Sequence, residues 1–566
     1  MKNLKKIIQI SLVTLCSILG MSNLKAQPIS SHFFGENAWM PDTVGNAYAC
    51  TDPPCILSGK LHQEWGNIKN SGASIIRFGG TAPDKNMPTN FQYIRMIDSV
   101  RAKGMEPVIQ VPFYNNRYTA LQAADIVHYL NVIKGKHIKY WIIGNEPNLG
   151  YSYSTSSQIA AYIRPFASAM KNVDPSILIV GPEIAWFQQN IIDGLTTPNG
   201  PDDITGKDAA GHYYIDVISF HTYPFNGSQS RAQLVSKLTE AHSLQDNLVY
   251  LNTRVTACNT AHGRSGATAL KTAITEANVA YQNVAGDNLW GLGTNSFMGA
   301  QFVSEMLGIA MKNGVDFVNI WSVVEGNDAV SDLGFIDHAS LNKKPLYHHF
   351  KLMADNFKGN YVNGTTNQMN VKSFGSQSST QITVMVLNED QAQNYNYTVR
   401  LNTTPITGSS TLKININAGA SQEYSDVIAA QSTTLLRFDA SGNILEKTEY
   451  KLSGNADANL PPTVTVLSTA TGVASNSLGS GNFEINAFPN PMQGKFTVQL
   501  HGNNSQKEEF DVEVYNLVGQ LVMNKKTSFP EGKEEIELDP SVADGTYILR
   551  VKKGDLLMTK KLLLAK

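Results

Sequence analysis

Eight short apolar runs, each followed by a stretch with helical periodicity, fill the first part of the chain. The runs lie at 31–39, 73–80, 106–113, 138–148, 177–186, 215–225, 270–278 and 315–326. Between them, segments such as NFQYIRMIDSVRAKG space their apolar residues three and four apart, as amphipathic helices do. Strands that alternate with helices predict an α/β fold, a closed (β/α)₈ barrel over 27–357, rather than an open doubly wound sheet.

The connections between the runs refine this prediction. No glycine-rich phosphate-binding sequence follows any run, which argues against a dinucleotide-binding fold. The sixth connection, 226–269, is the longest, and we expect it to carry an additional helical insertion.

Beyond the barrel the apolar periodicity changes from helical to alternating. Segments such as QITVMVLNED and YNYTVRLN, separated by Asn, Gly and Ser turns, predict a β-sandwich over 358–452. A polar stretch rich in Ser, Gly and Ala predicts a linker over 453–482. Alternation resumes over 483–566, which predicts a small β-rich domain.

The composition is that of a globular protein. The chain is 42% hydrophobic and 16% charged, with a net charge of −2. This balance excludes the basic surface of a nucleic-acid-binding protein and the low hydrophobicity of a disordered chain. Beyond the N-terminal segment no apolar run reaches about 18 residues, so we expect no stable membrane insertion.

The N-terminus, 1–26, has the pattern of a secretory signal peptide. Lysines precede an apolar core at 7–21, and the sequence LKA before Gln27 is an acceptable cleavage site. A membrane anchor is disfavoured because about 15 apolar residues are too few to span a bilayer. Lipidation of Cys16 is disfavoured because Leu15 precedes it where a small residue is needed.

Three cysteines remain after the predicted cleavage. Export favours a disulfide between Cys50 and Cys55, which flank two prolines in the sequence CTDPPC. Cys258 is then left over, and we expect it to be a small buried apolar residue. With no second cysteine pair and no histidine cluster, the sequence suggests no metal, and we expect no organic cofactor.

Polar residues at the strand ends are the candidates for an active site, because a barrel of this type assembles its site where the strands end. They are Arg77, Asn145, Glu146, Glu183, His221, Tyr223, Glu276, Trp321 and Glu325. Glu146 closes the fourth strand and Glu276 the seventh, so the two carboxylates should face each other across the barrel mouth.

Two facing carboxylates suit the cleavage of a glycosidic bond. One is protonated and donates to the leaving oxygen, while the other is ionised and attacks the anomeric carbon. A separation of about 5–5.5 Å gives retention, and a wider gap gives inversion. Arg77 could keep the nucleophile ionised, Tyr223 could donate a hydrogen bond to it, and Trp321 offers an apolar face for a sugar ring.

The strand-end motifs resemble those of clan A glycoside hydrolases. They are RFGG at strand two, GNEPN at strand four, FHTYPF at strand six, ITEAN at strand seven and IWS at strand eight. The resemblance implies a retaining mechanism with Glu146 as acid/base, Glu276 as nucleophile and Asn145 as ligand of a sugar 2-hydroxyl. It further implies supporting roles for Arg77, His221, Tyr223 and Trp321.

Within the clan, IIRFGGTAPDKN and YWIIGNEPN are similar to the heparanase-like family 79, and the appended sandwich suits families 79, 39, 51 and 30. No clear basic cluster for a uronate carboxylate is found in the sequence. Glu183 is retained as a sugar-subsite candidate, Glu325 is expected at the rim, and Trp39 and Trp186 are candidates for outer sugar platforms.

The C-terminal segments FPNPMQGKFTVQL, VYNLVGQLV and GTYILRV, with a basic terminus, resemble the type A sorting domain of the type IX secretion system. The resemblance implies export through the periplasm and outer membrane to the cell surface or the extracellular space. The secretion machinery is then a partner of this chain.

These observations together predict a secreted retaining glycoside hydrolase that cleaves a polysaccharide or oligosaccharide without a cofactor. The alternative is a non-catalytic surface glycan-binding protein built on the same barrel. A metal-dependent barrel hydrolase would need several His and Asp residues at strand ends, where only His221 is offered.

Overall fold

The computed structural model describes residues 27–38, 60–149, 153–325, 332–467, 484–501, 509–516, 520–529, 532–553 and 556–565. The predicted signal peptide, Trp39 and the Cys50–Cys55 pair lie outside the described residues. The described residues form two compact units that part at residue 470.

Eight parallel strands close into a barrel, each paired with the next in chain order and the first paired with the last. They are β1 (Phe34–Asn37), β2 (Ile75–Phe78), β3 (Glu106–Val111), β4 (Tyr140–Ile143), β5 (Leu178–Ile184), β6 (Val217–Thr222), β7 (Lys271–Ala277) and β8 (Phe317–Ile320). Each predicted apolar run contains one of these strands, so the (β/α)₈ prediction is confirmed.

Helices connect the strands and cover the outside of the barrel. They are α1 (Leu61–Asn70), α2 (Thr81–Lys85), α3 (Asn90–Ala102), α4 (Ala120–Val127), α5 (Ser156–Val173), α6 (Gln189–Leu195), α7 (Arg231–Lys237), α8 (Leu244–Ala261), α9 (Phe297–Lys312) and α10 (Pro345–Asn356). The sixth connection carries two helices, α7 and α8, as the sequence predicts. Capping boxes begin α3, α4, α5 and α7, each pairing a Ser or Thr with a Gln three residues later.

The barrel interior changes from apolar to polar along the strands. Its lower layer contains Ile75, Val108, Tyr140, Ile142, Val180, Val217, Ala273 and Phe317. Two residues further on, the same inward face of five strands presents Arg77, Gln110, Ser219, Thr275 and Asn319, all fully buried. A packed apolar floor therefore supports a polar layer at the ends of the strands.

An antiparallel β region follows the barrel. Its strands are β9 (Asn360–Thr366), β10 (Val371–Gln377), β11 (Gln381–Asn388), β12 (Tyr395–Arg400), β13 (Leu412–Ile416), β14 (Glu423–Ile428), β15 (Ser432–Asp439), β16 (Ile444–Lys451) and β17 (Thr463–Val466). The strand order is β14-β12-β13-β9-β10-β11-β15-β16-β17, and only β12 and β13 pair in parallel. β9 pairs with β10 through its first half and with β13 through its second, which joins two sheets over one apolar core. β17 lies inside the segment predicted to be a linker, so ordered structure extends further than the sequence indicates.

The sandwich packs on the barrel through α9. The Gln301 side chain donates hydrogen bonds to the carbonyls of Asn388 (3.2 Å) and Ser432 (3.0 Å). The rings of Phe297 and Tyr450 lie 5.2 Å apart. Ahead of the barrel, a two-residue strand, Gln27–Pro28, pairs with the start of β9. Barrel and sandwich consequently share one hydrophobic cluster.

The C-terminal unit has its own apolar core. Its strands are β18 (Glu484–Phe488), β19 (Lys495–His501), β20 (Phe510–Asn516), β21 (Leu521–Thr527), β22 (Lys533–Glu537), β23 (Gly545–Lys553) and β24 (Leu556–Leu564). They form a three-stranded sheet, β18-β19-β22, and a four-stranded sheet, β21-β20-β23-β24. The prediction of a small β-rich C-terminal domain is confirmed.

Two further predictions are tested by the described residues. Cys258 is a buried free cysteine on α8, as expected. Among the helices that the structure describes, none combines the length and apolar character needed to cross a membrane.

Candidate active site

Arg77, on β2, is the centre of the polar layer and is fully buried. One guanidinium nitrogen donates to Asn37 Oδ1 and to Glu276 Oε1, both at 2.9 Å. The other donates to Asn145 Oδ1 at 2.7 Å and to Glu183 Oε2 at 2.9 Å. Burial by itself would lower the pKa of Arg77, but the charges of Glu183 and Glu276 outweigh it and raise that pKa. Arg77 is therefore a permanent cation that fixes side chains from four other positions.

Glu183, at the end of β5, is the buried counter-ion of this arginine. Its other oxygen accepts hydrogen bonds from Ser219 Oγ (2.5 Å) and Thr275 Oγ1 (2.7 Å). Burial by itself would raise the pKa of the Glu183 carboxyl, but Arg77, His221 and Ser219 lower it to about 2. Because Glu183 is fully buried, the prediction that it lines a sugar subsite is wrong. Its carboxylate balances charge beneath the site.

His221, at the end of β6, lies between three carboxylates. Its Nε2 is 3.3 Å from Glu183 Oε2, and its Nδ1 is 3.0 Å from Glu146 Oε1 and 3.5 Å from Glu276 Oε2. Burial by itself would lower the pKa of His221, but the neighbouring carboxylates raise it to about 10. The raised pKa favours the imidazolium form of His221 at neutral pH, which donates from both nitrogens.

Glu276, near the end of β7, receives donors on both carboxylate oxygens. Arg77 contacts Oε1, and the Tyr223 hydroxyl donates to Oε2 at 2.8 Å. A shift in strand register lies at this point, and it turns the adjacent Thr275 and Glu276 toward the same polar layer. Burial raises the pKa of Glu276, while His221 and Arg77 act to lower it. Burial and the charge of Glu276 in turn raise the pKa of Tyr223, which stays a donor.

Glu146 follows β4 and is the more open of the two predicted catalytic carboxylates. Its side chain is 13% exposed, against 7% for that of Glu276. Its backbone lies in the left-handed region, with φ at +44°, and its N–H donates to the Glu183 carbonyl at 2.9 Å. Glu183 also has a positive φ, +60°. Backbone of this kind is uncommon for glutamate and here occurs at two neighbouring members of one site.

Asn145 and Trp321, two of the residues predicted to bind the sugar, follow β4 and β8. The Arg77 hydrogen bond fixes the Asn145 amide through Oδ1, so the Nδ2 group is the remaining donor, with Thr81 Oγ1 at 3.4 Å. Trp321 follows β8 and packs its indole against Gly80, where an added Cβ would lie only 2.7 Å from the ring. The structure brings all seven predicted site residues to one end of the barrel.

Glu325 lies closer to this centre than the predicted rim position. Its carboxylate accepts a hydrogen bond from Ser322 Oγ at 3.0 Å. Burial raises the pKa of Glu325 to about 8, and the charge of Glu276 acts in the same direction. Trp186, a predicted sugar platform, follows β5 and is 45% exposed.

Several supporting residues are missing from the sequence-based prediction. Asn37, Ser219 and Thr275 all hold a member of the cluster by a hydrogen bond. Ser219 lies just before the FHTYPF motif and Thr275 lies within ITEAN, while Asn37 ends β1, a strand for which no motif was identified. The two-residue period of the strands, counted back from His221, would have found Ser219, whereas the register shift beside Glu276 removes this signal for Thr275.

One atom each of Glu146, His221 and Glu276 could be considered as a metal-binding set, because these atoms lie within 4.8 Å of one another. Both histidine nitrogens, however, already face carboxylate oxygens, and these neighbouring charges raise the pKa of His221. A metal ligand needs a nitrogen lone pair, so the arrangement fits an imidazolium rather than a ligand.

The fold is similar to that of solved glycosidases. The α-L-arabinofuranosidase of Thermotoga maritima, in complex with arabinose, matches with a TM-score of 0.52 at 16% identity, over 74% of this chain and 98% of that chain. A family 51 α-L-arabinofuranosidase of Bifidobacterium longum matches with a TM-score of 0.52 at 13% identity, over 68% and 88% of the two chains. At such identities the likeness shows a common fold. No curated protein matches the sequence.

The C-terminal part is assigned more specifically. Residues 486–565 match the family described as "Secretion system C-terminal sorting domain". This segment is a sorting domain of the type IX secretion system, and it directs export to the cell surface or the extracellular space.

Proposed function

We propose that this protein is a retaining glycoside hydrolase in which Glu276 is the nucleophile and Glu146 the acid/base. The observation that supports the proposal is the spacing of the two carboxylates, which bring oxygens within 4.8 Å of each other. Retaining enzymes hold this pair about 5–5.5 Å apart, whereas inverting enzymes need about 6.5–9.5 Å to admit a water molecule between them.

In the first step Glu276 attacks the anomeric carbon while Glu146 donates its proton to the glycosidic oxygen. The bond from carbon to the leaving oxygen breaks, and an ester bond from carbon to Glu276 forms. Arg77 and Tyr223 donate hydrogen bonds that favour the ionised form of Glu276 against the effect of burial, which raises its pKa, and they fix the direction of its carboxylate. Glu146 is the more exposed of the pair, as suits a group that meets the leaving sugar.

In the second step the Glu146 carboxylate removes a proton from water. The resulting hydroxide attacks the anomeric carbon, and Glu276 is released as a carboxylate. His221 lies against both carboxylates and stays protonated, so its positive charge stabilises whichever of them is ionised. The fixed charges of Arg77 and Glu183 do not change during the cycle.

The sugar at the point of cleavage would lie over Asn145 and Trp321. The Asn145 Nδ2 group is fixed as a hydrogen-bond donor for a ring hydroxyl. The Trp321 indole offers a flat apolar surface for the less polar face of the ring. The substrate class that follows is a polysaccharide or oligosaccharide.

Two variants test the assignment. Glu276→Ala should lose all turnover and form no covalent adduct with a 2-fluoro glycoside, because the attacking oxygen is gone. Glu146→Ala should lose most turnover but recover part of it with azide or with a substrate that has a good leaving group. Adduct formation is read by intact-protein mass spectrometry.

Glu36→Gln is the control, since Glu36 is a fully buried strand carboxyl whose oxygens have no partner among the described residues. It should keep turnover and labelling. Full activity in Glu276→Ala would disprove the nucleophile assignment. Binding without hydrolysis or labelling across a broad glycan panel would favour the non-catalytic glycan-binding alternative.

A further inference from the structure

A cavity of about 150 Å³ lies beside the catalytic centre, between the end of β5 and the helical insertion of the sixth connection. We call it the loop-6 cavity. The residues that matter for its chemistry are Trp186, Tyr223, Lys237, His242, Ser243 and Asn247. His221 forms part of its wall, which connects the cavity to the catalytic pair.

Its position indicates which part of a substrate it would hold, given the proposed function. The sugar under attack would lie over Trp321, which follows β8 and packs against Gly80 after β2. The loop-6 cavity is at the ends of β5 and β6, on the other side of the barrel mouth. It is therefore placed for the sugar of the leaving group.

The polar groups of the cavity favour a negative charge. Lys237 supplies an ammonium group, His242 and Asn247 supply further donors, and no Asp or Glu is among the lining residues. The 18-residue helix α8 begins at the cavity, so its first N–H groups and the positive end of its dipole lie there.

Ser243 is the N-cap residue of α8 and gives an independent indication. Its side chain makes no capping hydrogen bond, unlike the Ser and Thr caps of α3, α4, α5 and α7. It is 3% exposed, and its hydroxyl has no partner among the described residues. A buried hydroxyl without a partner costs free energy, and a ligand oxygen would satisfy it.

Two acidic residues lie nearby and would compete with a ligand. Glu240 pairs with Lys237 at 2.6 Å, but both side chains are more than a third exposed, and such surface pairs contribute little. Asp246, in the first turn of α8, accepts from the His242 backbone N–H at 3.0 Å. Neither is among the residues that line the cavity, so a substrate anion can replace Glu240 on Lys237.

The rim offers a stacking surface. Trp186 is 45% exposed, and the next residue, Phe187, packs edge-on against Phe220 with ring centres 5.4 Å apart. The loop is thus anchored behind the tryptophan while its indole faces the opening. A sugar ring on Trp186 would bring its substituents to the donors of the cavity.

We propose that the loop-6 cavity is a subsite for an anionic sugar residue, carrying a carboxylate or a sulfate, on the leaving-group side of the cleavage point. The inference rests on the proposed function. These donors were not evident in the sequence because Lys237 and Ser243 lie on the insertion rather than at strand ends.

The test compares matched acidic and neutral glycans. The probes are glucuronoxylan and polygalacturonate with their carboxyl-reduced forms, and chondroitin sulfate with its desulfated form. Binding is measured by affinity electrophoresis with the full-length Glu276→Gln variant. We expect the acidic member of at least one pair to bind about tenfold more tightly, the ordinary value of one charge-assisted contact. The pair that responds identifies carboxylate or sulfate as the recognised group.

Substitutions connect this preference to the cavity. Lys237→Gln should abolish most of the preference for the acidic form, and Ser243→Ala should reduce it severalfold, with unchanged affinity for the neutral form. Lys134→Gln is the control, because Lys134 is exposed and directly follows the helical segment His128–Ile133, before β4 and away from the ends of the strands. Equal binding of acidic and neutral forms in every pair, or equal effects of Lys237→Gln and Lys134→Gln, would overturn the proposal.

The same glycans separate this inference from the proposed catalytic function. Hydrolysis by the wild type without any preference for acidic forms would reject the anionic subsite and keep the glycosidase. Charge-selective binding that depends on Lys237, without hydrolysis or covalent labelling, would keep the subsite and reject the catalytic assignment.

Discussion

Charge balance within the cluster is the central property at the scale of single residues. Two cations, Arg77 and His221, are fully buried together with the Glu183 carboxylate. The Glu183 anion contacts both of them, so it compensates the arginine and helps to keep the histidine protonated. Of the three glutamates, it is the one that a substrate cannot reach.

Glu183→Gln should therefore change the pH profile of catalysis as well as stability. Removing the anion lowers the pKa of His221, so the alkaline limb of the activity profile should move to lower pH. Stability should fall by about 3–5 kcal/mol at neutral pH, because Arg77 loses a buried partner. Since the folded pKa of Glu183 is about 2 and its ordinary value 4.5, this contribution is present above pH 4.5 and is lost as the pH falls toward 2.

Asp216→Asn is the matched control for this prediction. Asp216 is the partner of Lys171 in another buried ion pair (2.5 Å) and lies just before β6, at the opposite end of the barrel from the site. It should lower stability without moving the activity profile. An unchanged profile in Glu183→Gln would show that Glu183 has only a structural role. Activity across pH and calorimetric unfolding are the two measurements.

The residues proposed as catalytic could be picked out at this scale, whereas the burial of Glu183 could not. Asn145 and Glu146 follow the strongly apolar strand β4, and Glu276 lies near the end of the apolar strand β7. The local sequence is therefore enough to find the polar residues at both strand ends. Glu183 follows an equally apolar strand, but its burial depends on a backbone with φ at +60° and on contacts from β2, β6 and β7. No local pattern encodes contacts from three other strands.

At the scale of helices, strands and loops, the loop after β2 determines the position of an aromatic side chain. Gly80 has φ at +103° and lies against the Trp321 indole. This position therefore requires glycine for two reasons, its backbone conformation and the lack of space for a Cβ atom. An alanine there meets both an unfavourable backbone conformation and a collision with the ring. The position of the predicted sugar platform on β8 thus depends on a turn that follows β2.

Gly80→Ala should displace the Trp321 indole and raise KM by about tenfold, with stability reduced by about 1–3 kcal/mol. Gly104→Ala is the control, because Gly104 also has a positive φ (+72°), but an added Cβ there meets only the end of Lys69 at 3.6 Å. It should lower stability by a similar amount and leave KM unchanged. If both variants raise KM equally, backbone strain alone accounts for the effect. Steady-state kinetics and tryptophan fluorescence provide the measurements.

Element prediction succeeded where periodicity was strong. All eight barrel strands and the two-helix insertion were found, because buried parallel strands and amphipathic helices leave clear patterns. The strand β17 was missed since its four residues, TVTV, are exposed and lie within a polar stretch. It forms because β16 offers a free edge for pairing, which is a tertiary property.

At the scale of the whole molecule, the interface between barrel and sandwich contains buried carboxyl groups. Glu305, on α9, is 6% exposed, and its nearest cation is Lys372 at 3.8 Å. Glu389, after β11, is 1% exposed, and both of its oxygens are without partners in the described part of the chain. Burial raises the pKa of Glu305 to about 7 and that of Glu389 well above its usual range.

Stability should therefore fall as the pH rises from about 4.5 to about 7. The folded protein keeps Glu305 protonated over this range, while the unfolded chain, with the ordinary pKa of 4.5, releases the proton. A shift of this size corresponds to about 3 kcal/mol. Glu305→Gln removes the titrating group. The unfolding temperature of the variant minus that of the wild type should therefore be more positive at pH 8 than at pH 5.

Glu423→Gln is the control, since Glu423 is an exposed residue of the same sandwich and its surface ion pair with Arg400 contributes little to stability. Its unfolding temperature relative to the wild type should be the same at both pH values. Calorimetric scans at pH 5 and pH 8 provide the comparison. An equal difference at both pH values for Glu305→Gln would contradict the predicted titration.

The two-residue strand Gln27–Pro28 has a consequence for how such proteins can evolve. Gln27 pairs with Tyr361, and the N–H of Ile29 donates to the carbonyl of Gly359 at 2.8 Å. Residues 27–29 thus pair with the sheet of the sandwich before the first barrel strand begins. A recombination event that exchanged the barrel alone would remove a strand from one domain and add it to the other. The barrel and the sandwich are consequently expected to be inherited together, as a single module.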